Sequence, residues 1–384
     1  MTVTNQRPVS TTLFVPEKAN HGFTMFTPLA ADPGVTWLID MHGRLVHRWE
    51  LPAQVRLRSE LLTGGTILTG LAHKSGYAHL PFSGGEIAEI GWDGETVWSY
   101  LDDRLDLHDW VRRDNGNLIV LKYTEVPPKI AATVQGGLPG TEEDGTMLSY
   151  VIQEITPAGK VVWEWVAHEH MDPVLDAIDP VGIRAIWPGW NAIEELPGGD
   201  LMLSSYNTST VVIVDRATED VRWRWGKGQI SFQHNPTWLP NGNILLFDNQ
   251  RFNTRWMPPD YSRLIEVDPE SKEIVWEYKE TNPVDFYNTY MGSAQRLPNG
   301  NTMVCEAALG GIFEITAAGE RVWEYVVPFF HDSEFYGRSN AIFRAHRYQP
   351  GYPGLAGRDL SGAALSTWNE LYGRQNGRML MESR

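Results

Sequence analysis

Residues 233–250 read QHNPTWLPNGNILLFDNQ, a histidine, a tight turn and a strand in fixed order. In Pro240-Asn241-Gly242-Asn243 the Asn and Gly tolerate the positive φ that a hairpin demands, and the apolar run Ile244 to Phe247 continues as a strand. His234 stands six residues ahead of that turn. Working outward, LHDWVRRDNGNLIVLKY (107–123) repeats the arrangement, with His108 at the same offset before Asp114-Asn115-Gly116-Asn117. Related hairpins are ELLTGGTILTGL (60–71), WNAIEELPGGDLMLSSY (190–206) and GSAQRLPNGNTMVCEA (292–307), and SNAIFRAHRY (339–348) is a degenerate copy.

A second kind of hairpin alternates with the first: an apolar-alternating strand, a short turn, then a strand ending in Trp and often a second aromatic. Its copies are 37–50, 85–100, 150–165, 210–225, 262–278 and 310–325. Their equivalent tryptophans, Trp49, Trp98, Trp163, Trp223, Trp276 and Trp323, are 49, 65, 60, 53 and 47 residues apart, the period of a four-stranded propeller blade. Tryptophans at this spacing read as packing between blades. The pattern predicts an all-β, six-bladed β-propeller over 37–348, an N-terminal extension over 1–36 and a C-terminal tail over 349–384 with a short helix. The first copy is an outer hairpin and the last segment supplies only an inner strand. Segments 37–50 and 339–348 are therefore expected to complete one blade by pairing and to close the ring.

Composition agrees: 16 Trp, 36 Gly and 24 Pro in 384 residues suit many short strands joined by turns. A formal charge of −16 argues against a nucleic-acid backbone or an anionic membrane as partner. No uncharged apolar run approaches the roughly 20 residues that span a bilayer. The start MTVTNQRPVSTTLF lacks the basic and apolar regions of a signal peptide, so a cytoplasmic protein is expected. The single cysteine, Cys305, excludes an internal disulfide and reads as an inert thiol in a strand. The tail is expected to pack under the ring or against another subunit of a homo-oligomer.

Long insertions at 71–84, 124–148, 166–189 and 250–261 fall on one predicted face, where functional loops concentrate. His73, His79, His108, His168, His170, His234 and His331 map to that face, and His108 and His234, at equivalent strand starts, are expected to share a central pocket. The run HNPTWLPNGNILLFDN, with His108 in HDWVRRDNGN, Asn191 in WNAIEELPGGD and the segment SSYNTSTVVIVDR at 204–216, resembles the bacterial arylsulfotransferase family. That resemblance implies a six-bladed propeller moving a sulfuryl group between phenols without a cofactor, with His234 as the transiently sulfated histidine and His108 assisting. It also departs from the family pattern, which wants a histidine at Gly189 and an arginine at Tyr206. Tyr206, Asn191, Trp190, Arg251 and Lys122 are the candidate binders of a small aromatic substrate.

Two other readings stay open. His168 and His170 in AHEH, with His73 and His79, could present imidazoles to a divalent metal for hydrolysis or elimination, since an extended HEH would put both rings on one side. A non-catalytic ligand-binding propeller needs neither a reactive histidine nor a metal.

Overall fold

The computed structural model describes residues 8–372 apart from 74–76, 78–79, 81–82, 143, 252–259 and 334–336. The chain is all-β and propeller-like, a succession of antiparallel sheets with few and short helices. It divides into two compact units: Met1–His73 with Glu86–Leu101 and Met291–Arg384, and Lys74–Gly85 with Asp102–Tyr290.

The second unit contains two complete four-stranded sheets. One orders Trp190–Glu195, Leu201–Ser205, Thr210–Val214 and Val221–Trp225, and the other His234–Trp238, Ile244–Asp248, Arg263–Val267 and Ile274–Tyr278. Each runs in chain order, as the alternating hairpins predict. The middle strands are buried throughout and mostly apolar, while Val221–Trp225 and Ile274–Tyr278 alternate and face solvent on one side. The outer-strand Trp223 reaches the next hairpin, as expected of a packing residue, its Nε1 donating to the Pro269 carbonyl at 2.8 Å. The insertions at 124–148 and 166–189 pair with each other, strand Gly136–Leu138 lying parallel to Ile178–Ile183.

In the first unit, strand Ile342–Tyr348 and the hairpin Val35–Ile39 and Leu45–Glu50 share one sheet, but they do not pair directly. Strand Phe23–Pro28 lies between them, Met25 facing His346 on one side and Leu38 on the other. Strand Ser10–Phe14 adds a fifth strand to the sheet built from Ser293–Arg296, Thr302–Glu306, Gly311–Ile315 and Arg321–Val326. The segment 1–36 is thus not a mere extension. Its strands escaped the sequence because FTMFTP has no turn of the Asn-Gly type beside it and no terminal tryptophan. Helix Ser366–Tyr372 packs on its own unit, Trp368 lying 5.3 Å from Trp37 and Tyr372 5.0 Å from Phe329 between ring centroids.

The blade count also needs correction. Among the described residues, four sheets of four or five strands stand as separate blades, not six; the strands between Val55 and Val166 expected to form the second and third blades belong to one seven-stranded sheet. The cause is local. Thr96–Arg112 is one strand of 17 residues, because SYLDDRLDL (99–107) contains no Gly, Pro or Asn at which the chain could turn.

Candidate functional site

Three strands of the second unit are interrupted at corresponding places. Asp106 faces Leu121 but Trp110 faces Val120, so residues 107–109 are extra on their strand. Trp190 faces Ser205 and Ala192 faces Ser204, leaving Asn191 extra. His234 faces Phe247 and Thr237 faces Leu245, with Asn235 at φ 49° between them. Such bulges re-aim side chains, and here they carry His108, Asn191 and His234. Backbone N–H groups at the first bulge are met by carboxylates. Asp106 Oδ1 accepts the His108 N–H at 2.8 Å, and Asp109 accepts those of Trp110 and Ile193 at 3.0 and 3.1 Å.

His234 is held through one ring nitrogen. Its Nδ1 lies 2.8 Å from Asn249 Oδ1 and 3.1 Å from the Phe232 carbonyl. The Asn249 amide is oriented by its own Nδ2, which donates to the Asn288 carbonyl at 2.7 Å. Both neighbours of Nδ1 are therefore acceptors, so Nδ1 carries the proton and Nε2 the lone pair of the neutral ring. Asn191 supports this arrangement from behind. Its Nδ2 donates to the Gln233 carbonyl at 2.8 Å, and the Gln233 amide donates to Ser204 Oγ, the Ser205 carbonyl and the Thr210 carbonyl at 3.1, 2.9 and 2.9 Å. Asn191, expected at the substrate, is fully buried and fixes the backbone ahead of His234.

His108 Nδ1 lies 2.5 Å from Oδ1 of the fully buried Asp106. The charge on Asp106 reaches Tyr206, whose phenol is raised above its ordinary pKa first by burial and then by Asp106, with Arg251 opposing. The Tyr206 ring is 6.3 Å from Phe232, and the Arg251 guanidinium stands 5.8 Å over the same Phe232 ring. Arg251 also lowers two other phenols against their burial: Tyr290, raised by desolvation, and Tyr287, pushed up to about 12 by burial and its 3.1 Å hydrogen bond to Asp260. Asp106 thus acts electrostatically on Tyr206, the Tyr206 ring neighbours Phe232, and the Phe232 carbonyl meets His234. Gly189 borders Tyr206 at φ +86°, and its carbonyl accepts the Tyr206 N–H at 3.1 Å. A Cβ at Gly189 would lie 2.8 Å from Asn207 Cβ and 3.1 Å from Tyr206 Cε1, so the tyrosine ring stands where a side chain at 189 would begin.

Other candidates lie elsewhere. Trp190 is fully buried in the hydrophobic core with Trp187, Leu201 and Val212. Lys122 is buried with its ammonium 2.7 Å from Asp102, an ion pair that commits its charge. Arg184 is likewise paired, with Glu142 at 2.7 Å.

The metal alternative meets a geometric objection. Ala167–His170 is a helical turn, not a strand, so His168 and His170 point about 200° apart. His168 is buried, its pKa lowered by desolvation against the opposing charge of Glu169, while His170 stacks on Trp165 at 5.2 Å. His73 bonds Glu86 at 2.9 Å within the first unit, and His79 lies outside the described residues. Among the described residues no three His, Cys, Asp or Glu side chains form a group able to hold a metal ion.

Sequence reading overlooked Asp106, although Asp106 and His108 in DLH have the two-residue spacing of neighbours on one side of a strand. Asn249 in the FDN ending carries no mark of its part in holding His234. Phe232 left no signal, because its contribution is a carbonyl.

The family model described as Arylsulfotransferase (ASST) matches residues 58–327, a span containing every residue of this site. No curated protein matches the sequence. Among solved structures, a protein of unknown function from Bacteroides caccae is similar at 13% identity and a TM-score of 0.52, covering 79% of this chain and 93% of that one. A streptogramin B lyase is similar at 11% identity and a TM-score of 0.45, covering 89% of this chain and 98% of the other. The Bacteroides caccae likeness bears on the fold alone.

Proposed function

The chain belongs to the arylsulfotransferase (ASST) family, and from that premise we propose that it moves a sulfuryl group between phenolic oxygens through a transiently sulfated His234. The observation that carries this reading is the imidazole of His234, buried and fixed as the Nδ1–H tautomer by Asn249 and the Phe232 carbonyl. The Nε2 lone pair attacks the sulfur of an aryl sulfate, an N–S bond forms and the aryl S–O bond breaks. The electron pair leaves on the phenolic oxygen as a phenolate. A second phenol then gives its proton to Nε2 of His108 while its oxygen takes the sulfuryl group, His108 passes that proton to the departing phenolate, and His234 returns to its neutral form. The ring gains positive charge while sulfated, and the two oxygens on Nδ1–H stabilise it.

Charge spread over the sulfuryl oxygens needs fixed partners. Arg251 supplies the cation, in place of the arginine that the family pattern puts at position 206. Tyr206, kept protonated by its raised pKa, supplies a hydrogen-bond donor beside it. Aromatic walls from Phe232 and Tyr206 suit a planar phenol.

The test is intact-mass analysis of protein quenched during turnover of 4-nitrophenyl sulfate with phenol as acceptor. A sulfated species is expected in the native protein and should vanish in His234→Ala. Sulfation persisting in that variant, or neither nitrophenol release nor sulfated protein in the native enzyme, would overturn the proposal.

A further inference from the structure

We propose that Asp106 is the positioning residue that sets the working tautomer of His108. The inference rests on the reading of His108 as proton carrier, and it starts from backbone geometry. The bulge at 107–109 removes His108 from the regular ladder, so the direction of its ring is not dictated by pairing with the neighbouring strand. A carboxylate oxygen holds it. Asp106 Oδ1 accepts the backbone N–H of His108 at 2.8 Å and lies 2.5 Å from its Nδ1, clamping main chain and ring to the same atom. A carboxylate offers only acceptors, so Nδ1 holds the proton and Nε2 becomes the atom that gives and receives protons.

The surroundings of Asp106 sharpen this role. The residue is fully buried. The phenols of Tyr123, Tyr150 and Tyr206 lie within reach of its charge and remain neutral, each raised by burial and by Asp106 itself, and none of them brings a positive charge. A buried carboxylate without a cation beside it is costly, and a positive charge on the adjacent imidazole offsets that cost. Asp106 therefore favours the imidazolium that forms when Nε2 takes a phenolic proton, and it does so without accepting that proton. The same logic separates the two histidines. His234 is held by neutral amide and carbonyl oxygens, which suits a neutral nucleophile, whereas His108 is held by a carboxylate, which suits a proton carrier.

Asp106→Ala is the discriminating change, because it removes the oxygen that holds both the backbone N–H and Nδ1 and lets the ring take the Nε2–H tautomer that a free imidazole prefers. Nitrogen-15 spectra of ring-labelled histidine, with the His108 signals assigned by their loss in His108→Gln, read the tautomer directly and without substrate. The expected result is an Nδ1–H ring in the native protein, an Nε2–H ring in Asp106→Ala and return of Nδ1–H in Asp106→Asn, whose amide oxygen can stay on both donors. In turnover the Ala variant should lose about 10²–10⁴-fold in kcat with KM little changed. An Nε2–H tautomer in the native protein would overturn the proposal by itself, even if Asp106→Ala failed to fold. So would a folded Asp106→Ala protein whose His108 signals match the native ones, which would leave Asp106 a purely structural role. Failure of sulfuryl transfer leaves these spectra untouched, so the two proposals fall separately.

Discussion

Replacing Gly189 by alanine tests whether Tyr206 and Asn207 fill the space of a missing side chain. Gly189 sits at φ +86°, where an L-residue costs about 1–2 kcal/mol. The added Cβ would meet Asn207 Cβ at 2.8 Å, about 0.7 Å inside the shortest comfortable carbon–carbon separation. Asn207 cannot give way cheaply. Its Nδ2 donates to the carbonyls of Ile183 and Ile186, both at 2.7 Å, and its Oδ1 accepts the Ile183 N–H at 3.1 Å. Overpacking of this kind adds about 1–3 kcal/mol, so Gly189→Ala should lose about 2–5 kcal/mol in urea unfolding. Repeating the substitution in a Tyr206→Ala background should recover only the part due to the 3.1 Å ring contact, about 1 kcal/mol, because Asn207 stays in place. A loss below about 1 kcal/mol, or a Gly189→His protein as stable as the native one, would refute the reasoning.

Two further outcomes follow from buried charge in the first unit. Arg347 and Glu314 form a fully buried pair at 3.3 Å, and Arg347 also donates to Thr24 Oγ1 and the Asn20 carbonyl at 2.7 and 2.6 Å. Glu314→Gln should cost about 3–5 kcal/mol by stranding the guanidinium, and Arg347→Met added to it should cost far less than the sum of the two single changes; strict additivity in denaturant melts would exclude the pairing. His47, stacked on Trp92 at 3.8 Å, has its pKa lowered to about 4 by burial, with the Trp92 carbonyl and Asp93 opposing. Below pH 6.5 the unfolded chain binds the proton that the folded ring refuses, so stability is full above 6.5 and falls as pH drops toward 4. The loss is about 2 kcal/mol after allowance for partial exposure, and His47→Gln should show a correspondingly shallower decline; equal declines would remove His47 as a cause.

The repeat was legible because each hairpin declares itself twice, by an Asn-Gly type turn and by a terminal tryptophan. The same signals placed His108 and His234 at corresponding strand starts, and both prove to lie at bulges. What escaped had no such signature. Phe23–Pro28 is buried by partners more than 300 residues away, a pairing that no local pattern encodes. The fusion of two expected blades followed from an absence, the missing turn residue between Trp98 and His108. Lys122 and Trp190 have the composition of binding residues, but Asp102 engages one and the core encloses the other, and neither partner was marked in the sequence. Asp106 was hidden by its ordinariness, a carboxylate among the 48 acidic residues of the chain.

The first unit is assembled from three separated stretches, whereas the second is nearly continuous from Asp102 to Tyr290. During synthesis, strands Phe23–Pro28, Val35–Ile39 and Leu45–Glu50 emerge early and then wait for Ile342–Tyr348 to cover the open side of the first of them. Long-range pairing of this kind is slow, and an uncovered strand edge is an invitation to other chains. The histidine-bearing sheets can form while the ribosome is still translating the remainder. One edge of the strand FTMFTP meanwhile stays open until residues 342–348 have been made, which leaves the nascent first unit open to association through that edge.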